Sequence, residues 1–127
     1  MNRNQNSLRA VGQQGEDLAR EYLEKKGYTF REANWQFGHL ELDLVMQEGE
    51  TIVYVEVKLR RSSTLGQPEE AITPGKLRRT ARAAEAYQAF HCLDDYEMRV
   101  DCVCIMLDPW TDTVQRWLHL QNLTWHL

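Results

Sequence analysis

The stretch HLELDLVMQEGETIVYVEVKL, residues 39–59, decides how this chain is read. Its first half alternates, which predicts a strand with Leu40, Leu42 and Leu44 on one face and Glu41, Asp43 and Val45 on the other. Its second half follows the same rule. Val53, Val55, Val57 and Leu59 share one face there, and Ile52, Tyr54, Glu56 and Lys58 share the opposite one. Between them, Gln47 to Thr51 carries Glu-Gly-Glu, the signal of a tight hairpin turn. If Gly49-Glu50 form the loop, Asp43 falls opposite Glu56, and Glu41 falls opposite Lys58. If the loop is Glu48-Gly49, Asp43 lies diagonal to Glu56. In both registers the two carboxylates share a face, with Cβ atoms roughly 4.5 to 8 Å apart.

Carboxylates held that close repel near neutral pH, and burying them is costly unless cations, protons or hydrogen bonds compensate. Lys58 supplies one compensating charge. A hard divalent ion, Mg²⁺ or Mn²⁺, supplies more and takes oxygen ligands completed by water and phosphate oxygens, which makes Asp43 and Glu56 candidate metal ligands. The chemistry this arrangement suits is phosphodiester hydrolysis, with Lys58 positioning the attacking water or stabilising charge. The same spacing also describes a solvated strand face with a cross-strand ion pair, and spacing alone leaves both readings open.

Upstream, Leu8, Val11, Gly15, Leu18, Ala19, Tyr22 and Leu23 recur at three- and four-residue steps, which predicts an amphipathic helix over about residues 7–26, stopped by Gly27. Tyr28 to Asn34 reads as a short strand, followed by a loop around Gln36 to Gly38. Downstream, RRSSTLGQPEE reads as an exposed loop leading into a short helical turn, and Thr73-Pro74 starts a second helix to about Cys92. Leu77, Ala81, Ala84 and Tyr87 are its expected contacts. Glu97 to Leu107 reads as a central strand, and Thr113 to Leu120 as an edge strand.

The 127 residues suit a single domain, 1–127, with enough apolar content to form a core without disulfides. Cys92, Cys102 and Cys104 form no disulfide framework, and buried free thiols are expected. The N-terminus lacks the apolar run of a signal peptide, and no stretch is long enough to span a membrane, so a cytoplasmic location is expected. The net charge of −4 argues mildly against a nucleic-acid partner, yet its distribution points the other way. Lys58, Arg60, Arg61, Lys76, Arg78, Arg79 and Arg82 face only Glu69 and Glu70 in the same interval, a local excess suited to a polyanion. Four of these cations lie in the first turns of the second helix, where the macrodipole disfavours them and a phosphate would compensate. No sequence-reading helix or zinc finger is evident, so base-specific recognition is not expected.

An Asp, twelve intervening residues and then Glu56-Val57-Lys58 resembles the PD-(D/E)xK nuclease signature, without a proline before Asp43. GEDLAREYLEKKGY, ELDLV, YVEVKLR, the Gly66–Ala71 stretch, Lys76 and MRVDCV also follow in the order seen in the bacterial YraN family. That resemblance runs from Gly12 to about Met106. It implies an α/β, restriction-endonuclease-like fold, a central mixed β-sheet flanked by helices with an αβββαβ core. It also implies a Mg²⁺- or Mn²⁺-dependent endonuclease whose site contains Asp43, Glu56, Lys58 and a first-helix acid, Glu16. Similarity to archaeal Holliday-junction resolvases implies branched DNA as substrate and admits a homodimer. Glu16 stands out independently, because its offsets from Gly12 and Ala19 set it beside the apolar stripe. Leu40 departs from the family, which usually has Gly there. Arg99 and Asp101 match an Arg-x-Asp strand of the family, and a structural ion pair is expected of them. Two other functions share this sequence: a nucleic-acid-binding module of the same fold that never cuts, and a protein-interaction domain.

Overall fold

The computed structural model describes residues 3–61 and 72–123, with side chains described from Gln14 onward. The Gly66–Ala71 stretch, Glu69, Glu70 and the expected helical turn lie outside the described residues, as do Trp125 and His126. Seven elements follow in order: α1 (Arg3–Lys25), β1 (Thr29–Phe37), β2 (Leu40–Glu48), β3 (Thr51–Arg60), α2 (Pro74–Phe90), β4 (Glu97–Leu107) and β5 (Val114–Leu120). The strands form one sheet in the order β1-β2-β3-β4-β5, antiparallel throughout except that β3 and β4 run parallel. This is a mixed sheet with a helix on each face, and the αβββαβ order expected from sequence is present, extended by the edge strand β5.

The β2–β3 hairpin pairs Glu48 with Thr51, so Gly49-Glu50 form the turn and the first of the two expected registers holds. Gly49 has φ 59°, a conformation that penalises any residue with a Cβ and places glycine at the first central position, as in type II′ turns. Strand β1 runs three residues further than expected, to Phe37, and the turn is Gly38-His39. Helix α2 starts where the sequence placed it. Thr73 Oγ1 accepts from the Lys76 backbone N–H at 3.1 Å, and Pro74 occupies the first turn where its missing N–H costs nothing.

Two apolar clusters hold the layers together. On the α1 side, Ala19, Leu23 and Tyr28 pack on Leu44, Met46, Val53, Val55, Val103, Ile105 and Leu107. On the α2 side, Leu77, Ala83, Ala84 and Tyr87 pack on Trp35, Leu42, Val45, Ile52, Tyr54 and Val100. Each large side chain so buried contributes about 1.5 to 3 kcal/mol. The small Ala83 and Ala84 of α2 suit close packing against the sheet.

One expectation for β2 fails, and the failure matters for the site. Leu44 belongs to the α1-side cluster, whereas Leu42 and Val45 belong to the α2-side cluster and Leu40 packs against it, so strict alternation breaks at Asp43. Strand β1 changes face in step: Ala33 packs against the α1-side cluster and Trp35 sits in the other. Between them Asn34 has φ 55°, left-handed backbone that asparagine adopts more readily than most residues. The pairs Ala33 with Leu44 and Trp35 with Leu42 bracket Asn34 and Asp43. The two neighbouring strands therefore rotate together at one point, and Asp43 lies at that point.

One further expectation needs correction. Cys92 is exposed, at the C-terminal end of α2 with φ 54°, while Cys102 and Cys104 are buried as expected. Gln88, unremarked in the sequence, is buried and ties α2 to the sheet. It accepts from the Tyr54 hydroxyl at 2.6 Å and donates to the carbonyls of Leu93 and Tyr96.

Candidate active site

Asp43 and Glu56 line one pocket of about 100 Å³ together with His39, Leu40, Glu41, Lys76, Arg79 and Thr80. The β2–β3 ladder runs only to Leu44 opposite Val55. Beyond it the Val57 N–H donates to Asp43 Oδ2 at 3.0 Å, so the carboxylate takes the donor that a strand carbonyl would otherwise have satisfied. The strands part where the acids begin, and the pocket opens there.

Glu56 is 6 % exposed. Its Oε1 faces two ammonium groups, Lys58 Nζ at 3.4 Å and Lys76 Nζ at 3.0 Å. Lys58 reaches it along the same face of β3, and Lys76 reaches it from the first turn of α2. The hydrogen bond to Glu56 is the main reason the Lys76 ammonium holds its proton more tightly than an ordinary lysine. Asp43 is shifted the other way from most paired carboxylates. Burial raises its pKa, the Glu56 charge raises it further, and the Val57 N–H with the Lys76 and Lys58 charges only partly offset these.

Glu16 approaches Asp43 from α1. Burial is the largest cause of its raised pKa, a hydrogen bond with the Asn34 side chain lowers it, and the charges of Asp43 and Asp17 raise it again. Its Oε2 is buried without a hydrogen-bond partner among the described residues. Asn34, which faces Asp43 across the β1–β2 pair, thus also holds Glu16. Among the described residues, no group of three or more His, Cys, Asp or Glu side chains forms a metal-binding cluster. The site brings two acids, Asp43 and Glu56, to one pocket, with Glu16 near enough to act on Asp43 electrostatically.

Behind the acids, the parallel register sets Cys102 beside Glu56 and Cys104 beside Lys58. Their sulfurs are 3.6 Å apart, and the contact with Cys104, followed by burial, keeps the Cys102 thiol protonated. Buried thiols of this kind are inert packing.

The basic residues picked out by sequence divide into two sets. Lys58 and Lys76 turn inward to Glu56, and Arg79 joins the pocket wall. Arg60, Arg78 and Arg82 are exposed, and Arg61 pairs with Asp112 at 3.2 Å. Glu41 lies at the pocket but accepts from Gln36 rather than pairing with Lys58. Thr80 and Asn34 were missed. Thr80 lies one turn after Lys76 and so faces the same way, while Asn34 carried only a generic preference for left-handed backbone.

On the opposite face of the sheet the Arg-x-Asp pair is structural, as expected. Asp101 is fully buried, accepts from Arg99 Nε at 2.9 Å and Nη2 at 3.0 Å, and accepts the Asn122 N–H at 3.0 Å. His119 Nε2 lies 2.7 Å from it, and Arg99 also donates to the Tyr28 hydroxyl. His119, which the sequence gave no role, is therefore part of a buried ionic network joining β4, β5 and the start of β1.

The fold and this pocket define an α/β domain whose mixed sheet delivers an acid from each of two adjacent strands, and a lysine, to the place where those strands separate. Residues 15–105 match the model of the uncharacterised protein family UPF0102, the YraN family that the motifs pointed to, and the chain belongs to it. Relatives agree. A UPF0102 protein of Bacteroides thetaiotaomicron is 42% identical over 96 residues, covering 76% of this chain and 78% of its own. One of Chlorobium chlorochromatii is 46% identical over 85 residues, covering 67% and 66%, and one of Syntrophomonas wolfei is 49% identical over 79, covering 62% and 69%. No described helix is long and apolar enough to cross a membrane.

Proposed function

We propose that this protein is a metal-dependent endonuclease that hydrolyses phosphodiester bonds in nucleic acid, branched DNA being the preferred class of substrate. The observation that carries the reading is the pair Asp43 and Glu56, drawn from separate strands into one pocket although burial and the Glu56 charge raise the cost of ionising Asp43. A cation resolves that conflict. The donors suit Mg²⁺ or Mn²⁺, being carboxylate oxygens, and a buried Glu16 oxygen without a partner among the described residues offers a further acceptor for a coordinated water. Such an ion, when bound by Asp43 and Glu56, supplies Lewis acidity toward a phosphate oxygen and lowers the pKa of water.

The chain's own residues do the rest. The Val57 N–H fixes one Asp43 oxygen at 3.0 Å, and the residue lines the pocket. In this reading Lys58, 3.4 Å from Glu56 on β3, orients a water and offsets negative charge on the phosphate oxygens. Arg79, with exposed Arg78 and Arg82 on the same helix, provides cations for the flanking phosphates.

The test is cleavage of a panel of branched, bubbled and linear DNA and RNA with and without Mg²⁺, beside Asp43→Ala and Glu56→Ala. Metal-dependent cleavage lost in both variants is expected, and undiminished cleavage in either would sink the reading. A second reading has its own observation: Glu56 already carries two ammonium partners, so the cluster is compatible with a module that binds nucleic acid without cutting. Salt-sensitive binding unaffected by Asp43→Ala, with no product formed, would favour it.

A further inference from the structure

Glu56 Oε1 is held by two lysines that differ in freedom. Lys58 projects from β3 two residues beyond Glu56 and has only 17 % of its side chain exposed. Lys76 is 39 % exposed and closer, at 3.0 Å. Its backbone is anchored by the Thr73 cap, but its four-carbon side chain can swing about that anchor. In the first turn of α2 an ammonium is disfavoured by the helix dipole, so the bond to Glu56 is what holds it inward. Arg79 and Thr80, on the same side of α2, line the pocket beside it.

We propose that Lys76 is an ionic latch on Glu56: its ammonium fills a cation's position at Oε1 until a divalent ion binds Asp43 and Glu56, and is then displaced toward Arg79 to receive a substrate phosphate oxygen. The proposal rests on the metal-dependent reading above and adds a regulation of that same site. A dication and an ammonium cannot share one carboxylate oxygen closely without strong repulsion, so the ion's arrival reverses the sign of the local field at Lys76. Metal and nucleic acid then reinforce each other through one side chain, since each is favoured by the state in which Lys76 has left Glu56.

Mn²⁺ binding to the full chain without nucleic acid, followed by the electron-spin signal of the free ion, tests this in wild type, Lys76→Met and Lys58→Met. Removing the latch is expected to tighten Mn²⁺ binding about tenfold, and by more than removing Lys58 does. Lys76→Gln, which keeps a polar helix surface, is expected to act in the same direction. In wild type, the Lys76 side-chain NMR resonance is expected to move as Mg²⁺ saturates the site. Binding no tighter in Lys76→Met than in wild type, or an equal gain in Lys58→Met, overturns the latch while leaving the metal site intact. Mn²⁺ binding by neither wild type nor Lys76→Met overturns the metal-dependent reading and the latch with it.

Discussion

Asp43 and Asp101 are the same residue on interior strands of one sheet, facing opposite layers, and folding drives their acidities apart. Around Asp101 burial pushes the pKa up, but the bonds from His119, Arg99 and the Asn122 N–H outweigh it, and the net shift is downward. Around Asp43 burial and Glu56 prevail over one backbone N–H and two lysines, and the net shift is upward. A buried charge with its hydrogen bonds complete is architecture. A buried charge left short of partners is held there at a cost, and such positions are where ligands bind.

The largest expected contrast is in turnover. Asp43→Asn should lower metal-dependent cleavage by about a thousandfold or more, roughly 4 kcal/mol of transition-state stabilisation, while Asp101→Asn keeps activity per folded molecule within about threefold. Comparable losses in both would erase the distinction. Next comes stability, read from urea unfolding without divalent metal. Asp101→Ala breaks a buried pair and is expected to cost about 3 to 5 kcal/mol, whereas Asp43→Asn relieves repulsion and leaves stability unchanged or raised by about 1 kcal/mol.

The pH dependence of unfolding sharpens the same comparison. Asp101, its pKa lowered in the folded protein, contributes stability that is complete above the unfolded value of about 3.9 and is lost as the pH falls through the lower folded value. Asp43 and Glu16, with raised values, contribute stability that is complete below their unfolded values and is lost as the pH rises through the folded ones. Without metal, Asp101→Asn should therefore flatten the acid limb below about pH 4, and Asp43→Asn should flatten the decline above it. The reverse assignment of limbs would refute the electrostatic account. A smaller loss than that of Asp101→Ala belongs to a neutral buried bond: Tyr54→Phe leaves Gln88 Oε1 without its donor and should cost about 1 to 2 kcal/mol.

Much of this was readable from periodicity and turn chemistry. Thr73-Pro74 marked the start of α2, Glu-Gly-Glu marked the hairpin, and the period-two pattern of β3 put Glu56 and Lys58 on one face. The face change at Asn34 and Asp43 was not readable, because alternation assumes extended backbone at every residue and a single left-handed φ reverses it without changing composition. Lys76 was legible as a cation suited to phosphate, but its turn toward Glu56 depends on where α2 crosses the sheet. His119 and Asp101 are 18 residues apart in sequence and meet only through the β4–β5 pairing, which no local pattern encodes.

The joint rotation of β1 and β2 has a consequence for how this chain tolerates change. Because Asn34 and Asp43 turn as a pair across the Gly38-His39 hairpin, the number of residues between them sets the direction in which the acid is aimed. A single insertion in that hairpin would leave the hydrophobic composition untouched yet swing the carboxylate away from its partner, so loop length there is under the same constraint as the chemistry itself.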